Sequence, residues 1–361
     1  MGELAVSAIP EELAARTTRG AVPPRHTLGV PTELHAQEPG WFPRRIVSGV
    51  RPGGRLHLGN YLGSIHDCLD LQYEYVGGAF YFIADLHEMT SSAPGPALRE
   101  RTIGSAIDYL ALGLQPDMVT FFVQSDVPQV TELMWMLACV TPAAWLAGAS
   151  GFATSDLSTA SAGLFIYPAL MAADCLALRA TDLPIGADQI ANVSILRDIA
   201  VRWNRHYHTN VFPVPQPNLS LFPELPGTDG LRMSKSAGNS IPVFAEPDEL
   251  ESSVKRIESD GVVFELLEAV TGTRHTSQQL DDGNPPSTVG STDLSGQEAR
   301  ARLAQAVGER FAEPRSRRRE WLSQRRDVED LLLEGGERAR MEATETLELV
   351  RDVVGLGPSS T

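Results

Sequence analysis

RIVSGVRPGGRLHLGNYLGSIHDCLDLQYEY, Arg45 to Tyr75, contains a change of hydrophobic period within thirty-one residues. RIVSGV is a short β-branched run and RPGGR is a turn. In the rest, Leu58, Leu62, Ile65 and Leu69 fall at i, i+4, i+7 and i+11, which is one face of a helix. A strand that enters a helix through a glycine-rich turn is the unit from which doubly wound sheets are built.

The pattern recurs downstream. GAFYFIAD, Gly78 to Asp85, reads as a second apolar strand. RTIGSAIDYLALGL, Arg101 to Leu114, reads as a helix with a glycine near its end, and MVTFFVQS, Met118 to Ser125, as a third strand. Alternation of this kind predicts an α/β fold with a doubly wound, Rossmann-like parallel sheet, whose functional residues gather at the carboxyl ends of the strands. After Arg232 to Asn239, RMSKSAGN, strand-like runs fade. Residues 245–361 read as helical, interrupted by a polar loop, HTSQQLDDGNPPSTVGSTDLSG, His275 to Gly296. Three regions follow: an N-terminal extension over 1–43, a Rossmann-like domain over 44–240 with a helical insertion, and a mostly helical region over 241–361.

Composition narrows the classes. Hydrophobic residues at 42% and charged residues at 21% fit a soluble globular chain. Cys68, Cys139 and Cys175 form no CxxC pair, sit in apolar surroundings and read as buried reduced thiols. No apolar run reaches the length of a membrane span and no signal-peptide core is visible, so the expected location is cytoplasmic. A net charge of −16 argues against non-specific nucleic-acid binding, yet leaves room for a local basic patch. RSRRREWLSQRR, Arg315 to Arg326, is either such a patch or a solvated helical face.

Two segments could hold a nucleotide. In SGVRPGGRLHLGN, Ser48 to Asn60, the glycine-rich turn presents backbone N–H groups beside a helix N-terminus, an arrangement that favours anions. His57 and Asn60, three apart, can face one ligand, and Gly59 leaves room for a flat group. This is neither a Walker A loop nor GxGxxG, and alone it is a weak signal. In RMSKSAGN, Lys235 is one of only two lysines in a chain with 30 lysines and arginines. A flexible amine on a Ser- and Gly-rich loop can follow a departing phosphate, whereas arginine's rigid fork suits fixed clamping.

Together, HLGN and the RMSKS that follows it far downstream resemble the paired ATP-binding motifs of the class I aminoacyl-tRNA synthetases, which read HIGH or HxGN and KMSKS. Between them lies FIYPALMAADCLALRATDLPIGADQ, Phe165 to Gln189, which places Tyr167, Met171 and Asp174 on one helical face. The residues alone permit a core face or an apolar slot with one acceptor, suited to an aromatic ligand that carries an N–H. With the flanking motifs, YPALMAAD and PIGADQ resemble the tryptophanyl-tRNA synthetases, from about Ile46 to Ser240 and more loosely beyond.

The resemblance implies tryptophan activation with ATP, accompanied by Mg²⁺, followed by esterification of tRNA(Trp), in a homodimer. It makes 44–240 the catalytic domain and 241–361 a tRNA anticodon-binding region whose last helix packs back on the catalytic domain. It assigns ATP binding to Arg51, Pro52, Gly53, His57, Gly59, Asn60, Gly186, Ala187 and Asp188. Arg232, Met233, Ser234, Lys235 and Ser236 would hold the phosphates. His57, Asn60, Ser234 and Lys235 would carry the catalysis. Tryptophan would meet Asp174, Tyr167, Met171, Gln189 and His87, with Asp174 accepting the indole N–H; Gly186 and Asp188 would also serve ribose and the amino acid. No protein-held metal site is implied.

Apolar residues for a dimer interface occur in TELMWMLACVTPAAWL, Thr131 to Leu146, although a core helix explains them as well. Two features depart from the pattern. Arg51 stands where many bacterial members carry glutamine, and the loop GFATSDLSTASAG, Gly151 to Gly163, has none of the lysines common there. Two functional readings follow: an active ligase, including a second or inhibitor-tolerant copy, or a catalytically weak tryptophan-binding regulatory paralogue. A tyrosyl enzyme shares the fold, but YPALMAAD points away from it.

Overall fold

A computed structural model describes residues 42–90, 95–149, 161–186, 189–219, 224–272, 275–277 and 292–357. At its centre β1 (Ile46–Val50) pairs in parallel with β2 (Ala79–Ile83) on one side and β4 (Asp182–Ile185) on the other. β3 (Thr120–Val123) and β5 (Gln216–Leu219) complete a parallel sheet of order β3-β2-β1-β4-β5. All five positions of β2, AFYFI, are buried, as expected of an inner strand with both faces covered. Alternate residues feed two apolar layers. Ile46, Tyr81, Ile83 and Phe121 enter one, and Val47, Phe80, Phe82 and Phe122 the other.

The three expected strands are present. β5 went unread because QPNL carries Pro217 and no β-branched residue; it lies at the sheet edge, where a missing N–H is tolerated. The expected helix after the glycine turn is α1, built of an α-turn Leu58–Asn60, a π-turn Tyr61–Ile65 and a further α-segment His66–Leu71. Its Leu58, Leu62, Ile65 and Leu69 are all buried. The chain continues through α2 (Asp85–Glu88), α3 (Pro96–Leu112), α4 (Gln129–Val140), α5 (Ala143–Ala149), α6 (Ala162–Ala177) and α7 (Ile190–His206). Gly113, with φ of 111°, ends α3 in the left-handed region that glycine favours.

Beyond the lysine segment come α8 (Pro247–Lys255), α9 (Asp260–Thr271), α10 (Gly296–Arg310), α11 (Ala312–Ser323) and α12 (Arg325–Val354). The region expected as loop begins and ends in a parallel pair of short strands, β6 (His275–Ser277) and β7 (Thr292–Leu294). α12 lies across β3. Arg351 forks onto Glu132 at 2.7 and 2.6 Å, and Gln129 Nε2–H donates to Thr344 Oγ1 at 2.8 Å. The arginine-rich segment is largely a staple rather than an open patch. Arg317 donates to the Ala111 carbonyl at 2.8 Å, Arg318 to Asp108 at 2.6 Å, and Arg325 forks onto Glu100 at 2.6 and 2.8 Å, joining α11 and α12 to α3.

Cys68 and Cys175 are buried as expected, but Cys139 is exposed on α4: the helix buries Leu133, Met136, Leu137 and Val140 and turns Trp135 and Cys139 outward. Among the described residues no single helix is long and apolar enough to cross a membrane. The expected N-terminal extension lies outside the described residues but for positions 42 and 43.

The crossing of α12 over β3 depends on Gly335, where an added Cβ would overlap the Phe121 carbonyl oxygen. Gly335→Ala should therefore destabilise the fold by about 3 kcal/mol or more, as forced overpacking does. Gly104→Ala, on α3 with nothing within 4 Å of the added methyl, should be neutral or stabilising. Chemical denaturation of both variants checks the contrast; equal midpoints would refute the close approach.

Candidate active site

The strand order reverses at β1, and a crevice at the carboxyl ends of β1 and β4 is where a doubly wound sheet binds ligands. A cavity of about 560 Å³ opens there. Val47 to Arg51 supply one wall, Leu183 to Gly186 another, and Gly59 and Asn60 the start of α1. Tyr167, Met171 and Asp174 face in from α6, joined by His87, Gln189 and Arg232. α6 starts where Ser161 Oγ accepts the Leu164 N–H at 3.2 Å, and its i, i+4, i+7 face meets the cavity as the sequence predicted.

Asp174 is 4% exposed, and its carboxylate is held by protein donors. His87 Nε2–H donates to Oδ2 at 2.8 Å, while Gln124 Nε2–H₂ donates to Oδ1 at 2.8 Å and Oδ2 at 2.9 Å. Burial raises the Asp174 carboxyl above its usual value, and the His87 and Gln124 hydrogen bonds work against that rise. The His87 ring meets Tyr167 edge-on, with centroids 5.2 Å apart, and the Arg51 guanidinium lies 5.7 Å over the other end of this aromatic wall, above the Tyr167 ring. The cavity thus combines an aromatic ring, a thioether and a buried acceptor with two cations, Arg51 and Arg232.

The two motifs are laced together by backbone. The Leu58 N–H donates to the Ile241 carbonyl at 3.0 Å and the Val243 N–H to the Leu56 carbonyl at 2.9 Å. His57 caps α1: Nδ1 accepts the Asn60 N–H, and Asn60 Oδ1 accepts the His57 N–H, both at 3.3 Å. The Gly59 N–H points to Met233 Sδ at 3.3 Å; a Cβ on Gly59 would stand 3.1 Å from His57 Nδ1 and 3.4 Å from Met233 Cβ. Lys235 Nζ donates to the Gly53 and Gly54 carbonyls at 3.2 and 2.9 Å, so its amine sits on the glycine turn. Loss of hydration there lowers the Lys235 amine below its ordinary value.

The expected residues therefore divide. Arg51, Gly59, Asn60, His87, Tyr167, Met171, Asp174, Gly186, Gln189 and Arg232 line the cavity. Pro52, Gly53, His57, Met233, Ser234, Lys235 and Ser236 flank it without lining it, and Ala187, Asp188 and most of the cation-free loop lie outside the described residues. Two contributors were not foreseen. Gln124 lies in the turn just past β3, where a polar residue reads in sequence as an ordinary turn residue. Asn239, 3% exposed, shapes the lysine turn: Oδ1 accepts the Ser234 N–H at 2.8 Å, and Nδ2–H₂ donates to Asp229 Oδ1 at 2.8 Å and the Arg232 carbonyl at 3.1 Å.

Comparison with known proteins agrees with this geometry. The family profile for class I tRNA synthetases (W and Y) matches residues 43–285. A tryptophan–tRNA ligase of Rhodopirellula baltica is 38% identical over 322 residues, covering 86% of this chain and 99% of that one. One from Fusobacterium nucleatum is 35% identical, covering 87% and 98%. The solved tryptophanyl-tRNA synthetase of Campylobacter jejuni, complexed with ADP and tryptophan, superposes with a TM-score of 0.71 at 30% identity, covering 86% of this chain and all of that one.

His57 offers a direct electrostatic check. Burial, with the Lys235 charge adding to it, lowers its imidazole from 6.5 to about 4. The ring is neutral at pH 7, and the unfolded chain takes up the proton first. The stability His57 contributes is therefore present above about pH 6.5 and lost as the pH falls toward 4. Titration followed by NMR should show the His57 ring unprotonated at pH 6; a midpoint at or above 6 would contradict the burial.

Proposed function

The chain belongs to the tryptophan–tRNA ligase family of class I aminoacyl-tRNA synthetases, and from that premise we propose how its own residues perform the reaction. Tryptophan enters the cavity with its indole beside Tyr167, Met171 and His87 and donates its N–H to Asp174. ATP lies against the glycine turn and the start of α1, with Arg51, Pro52, Gly53, His57, Gly59, Asn60, Gly186, Ala187 and Asp188 around it. The observation that supports this reading best is the buried Asp174 carboxylate facing an otherwise apolar and aromatic end of the cavity.

The tryptophan carboxylate attacks the α-phosphorus of ATP. One carboxylate oxygen forms the new P–O bond, the bond from that phosphorus to the bridging oxygen breaks, and pyrophosphate leaves with the electron pair. The adenylate then passes its acyl group to the terminal ribose of tRNA(Trp), releasing AMP. No side chain acts as nucleophile; the protein positions the reactants and stabilises developing charge. Lys235 leaves the Gly53 and Gly54 carbonyls for the departing phosphates, joined by Arg232, Ser234 and Ser236, with Met233 holding the segment against Gly59.

Among the described residues no group of three or more His, Cys, Asp or Glu side chains is disposed to hold a metal. Mg²⁺ would accompany ATP, bound mainly through phosphate oxygens. The helices after residue 240 would form the tRNA anticodon-binding region, and two copies would pair through the face of α4 that presents Trp135, which is 68% exposed. The enzyme is placed in the cytoplasm.

ATP–pyrophosphate exchange tests the reading: it should depend on tryptophan and not on tyrosine, and the reverse preference would overturn the substrate. Lys235→Ala should lower exchange by roughly 10²-fold or more, as loss of a transition-state charge contact does, while tryptophan binding stays near wild type. Asp174→Asn keeps the shape but adds competing donors, and should raise the tryptophan KM about tenfold or more, on the order of 1–3 kcal/mol. An unchanged KM would remove Asp174 from recognition.

A further inference from the structure

Gln124 closes β3, is 1% exposed, and makes four hydrogen bonds inside the protein. Its Oε1 accepts the backbone N–H groups of Leu86 and His87 at 3.1 and 3.4 Å. Its Nε2–H₂ donates to both carboxylate oxygens of Asp174. The orientation of this amide is fixed by chemistry: turned over, it would set its oxygen against a carboxylate and its NH₂ against two N–H groups. His87 Nε2–H adds a second donor to Oδ2. Of the roughly four acceptor places on a carboxylate, Oδ2 then has two filled and Oδ1 one.

We infer that Gln124 is a positioning residue for substrate selection: through Asp174 and the start of α2, it turns the carboxylate so that Oδ1 keeps one acceptor place for a substrate N–H. The inference rests on the reading that this cavity takes tryptophan. Gln124 suits the role because one planar group ties three elements together: β3, the N-terminal end of α2 that carries His87, and α6 that carries Asp174. Without it the carboxylate keeps only the His87 donor, on Oδ2, and its plane is free to rotate about the Cβ–Cγ bond. The ionisable groups around this cluster are His87 and Asp85 on α2 and Tyr167 and Cys175 on α6.

Gln124→Glu separates the donor role from the backbone-holding role. Glutamate keeps an oxygen for the Leu86 and His87 N–H groups, but it donates to Asp174 only while the two carboxyls share a proton. Tryptophan affinity, measured by titration calorimetry, should lie near wild type at about pH 5.5 and fall about tenfold or more by about pH 8.5, while wild type changes little. Gln124→Met, which removes the donor at every pH, should lose about tenfold in tryptophan affinity. It should leave binding of 3-benzothienylalanine, whose ring sulfur replaces the N–H, unchanged.

A Gln124→Glu protein whose affinity does not vary with pH, or a Gln124→Met protein that loses both ligands alike, would overturn the inference and reduce Gln124 to scaffold. Wild type that binds no tryptophan would overturn the substrate reading, and this inference with it.

Discussion

A carboxylate 4% exposed, beside an apolar cavity, is expensive unless donors surround it, and that requirement at Asp174 organises the site. His87 meets it from the short helix after β2, and Gln124 from the end of β3. Both donors reach α6 only because the ends of adjacent parallel strands bring them to the same level. The sheet register that sets Phe82 opposite Phe122 and Ile83 opposite Val123 is therefore also the register of the hydrogen-bond network around Asp174. Packing on both faces of β2 and β3, and α12 crossing β3 at Gly335, keep those strand ends fixed.

The motif segments that flank the cavity follow a different rule. There backbone, more than side chain, does the holding. The HLGN turn and the segment after RMSKS exchange hydrogen bonds through Leu58, Ile241, Val243 and Leu56, so two motifs far apart in sequence behave as one unit. Lys235, resting on the Gly53 and Gly54 carbonyls at an exposed surface, belongs to that unit. The hydrogen-bond network around Asp174 is thus buried, and the lysine contact is exposed.

The apolar runs in RIVSGV, GAFYFIAD and MVTFFVQS made these three strands legible, because parallel strands packed on both faces are largely apolar. β5 was hidden by Pro217 and by its edge position, where packing asks little of the side chains. Helical spacing put Tyr167, Met171 and Asp174 on one face, but a core face fitted that spacing as well, and only the flanking motifs singled out a ligand slot. Gln124 was not, since a polar residue after a strand looks like any turn until the partner helix is in place. Nor could the sequence show the arginines of α11 turning inward, a matter of where the α3 carbonyls and Asp108 lie.

The central claim, that the Asp174 carboxylate accepts the indole N–H, is tested most directly by binding tryptophan labelled with ¹⁵N at the indole nitrogen. If the carboxylate takes that hydrogen bond, the bound indole proton should move downfield and exchange with water far more slowly than in free tryptophan, and Asp174→Asn should reverse much of the shift. A bound indole proton that exchanges as fast as in free tryptophan, at an unshifted position, would contradict the claim.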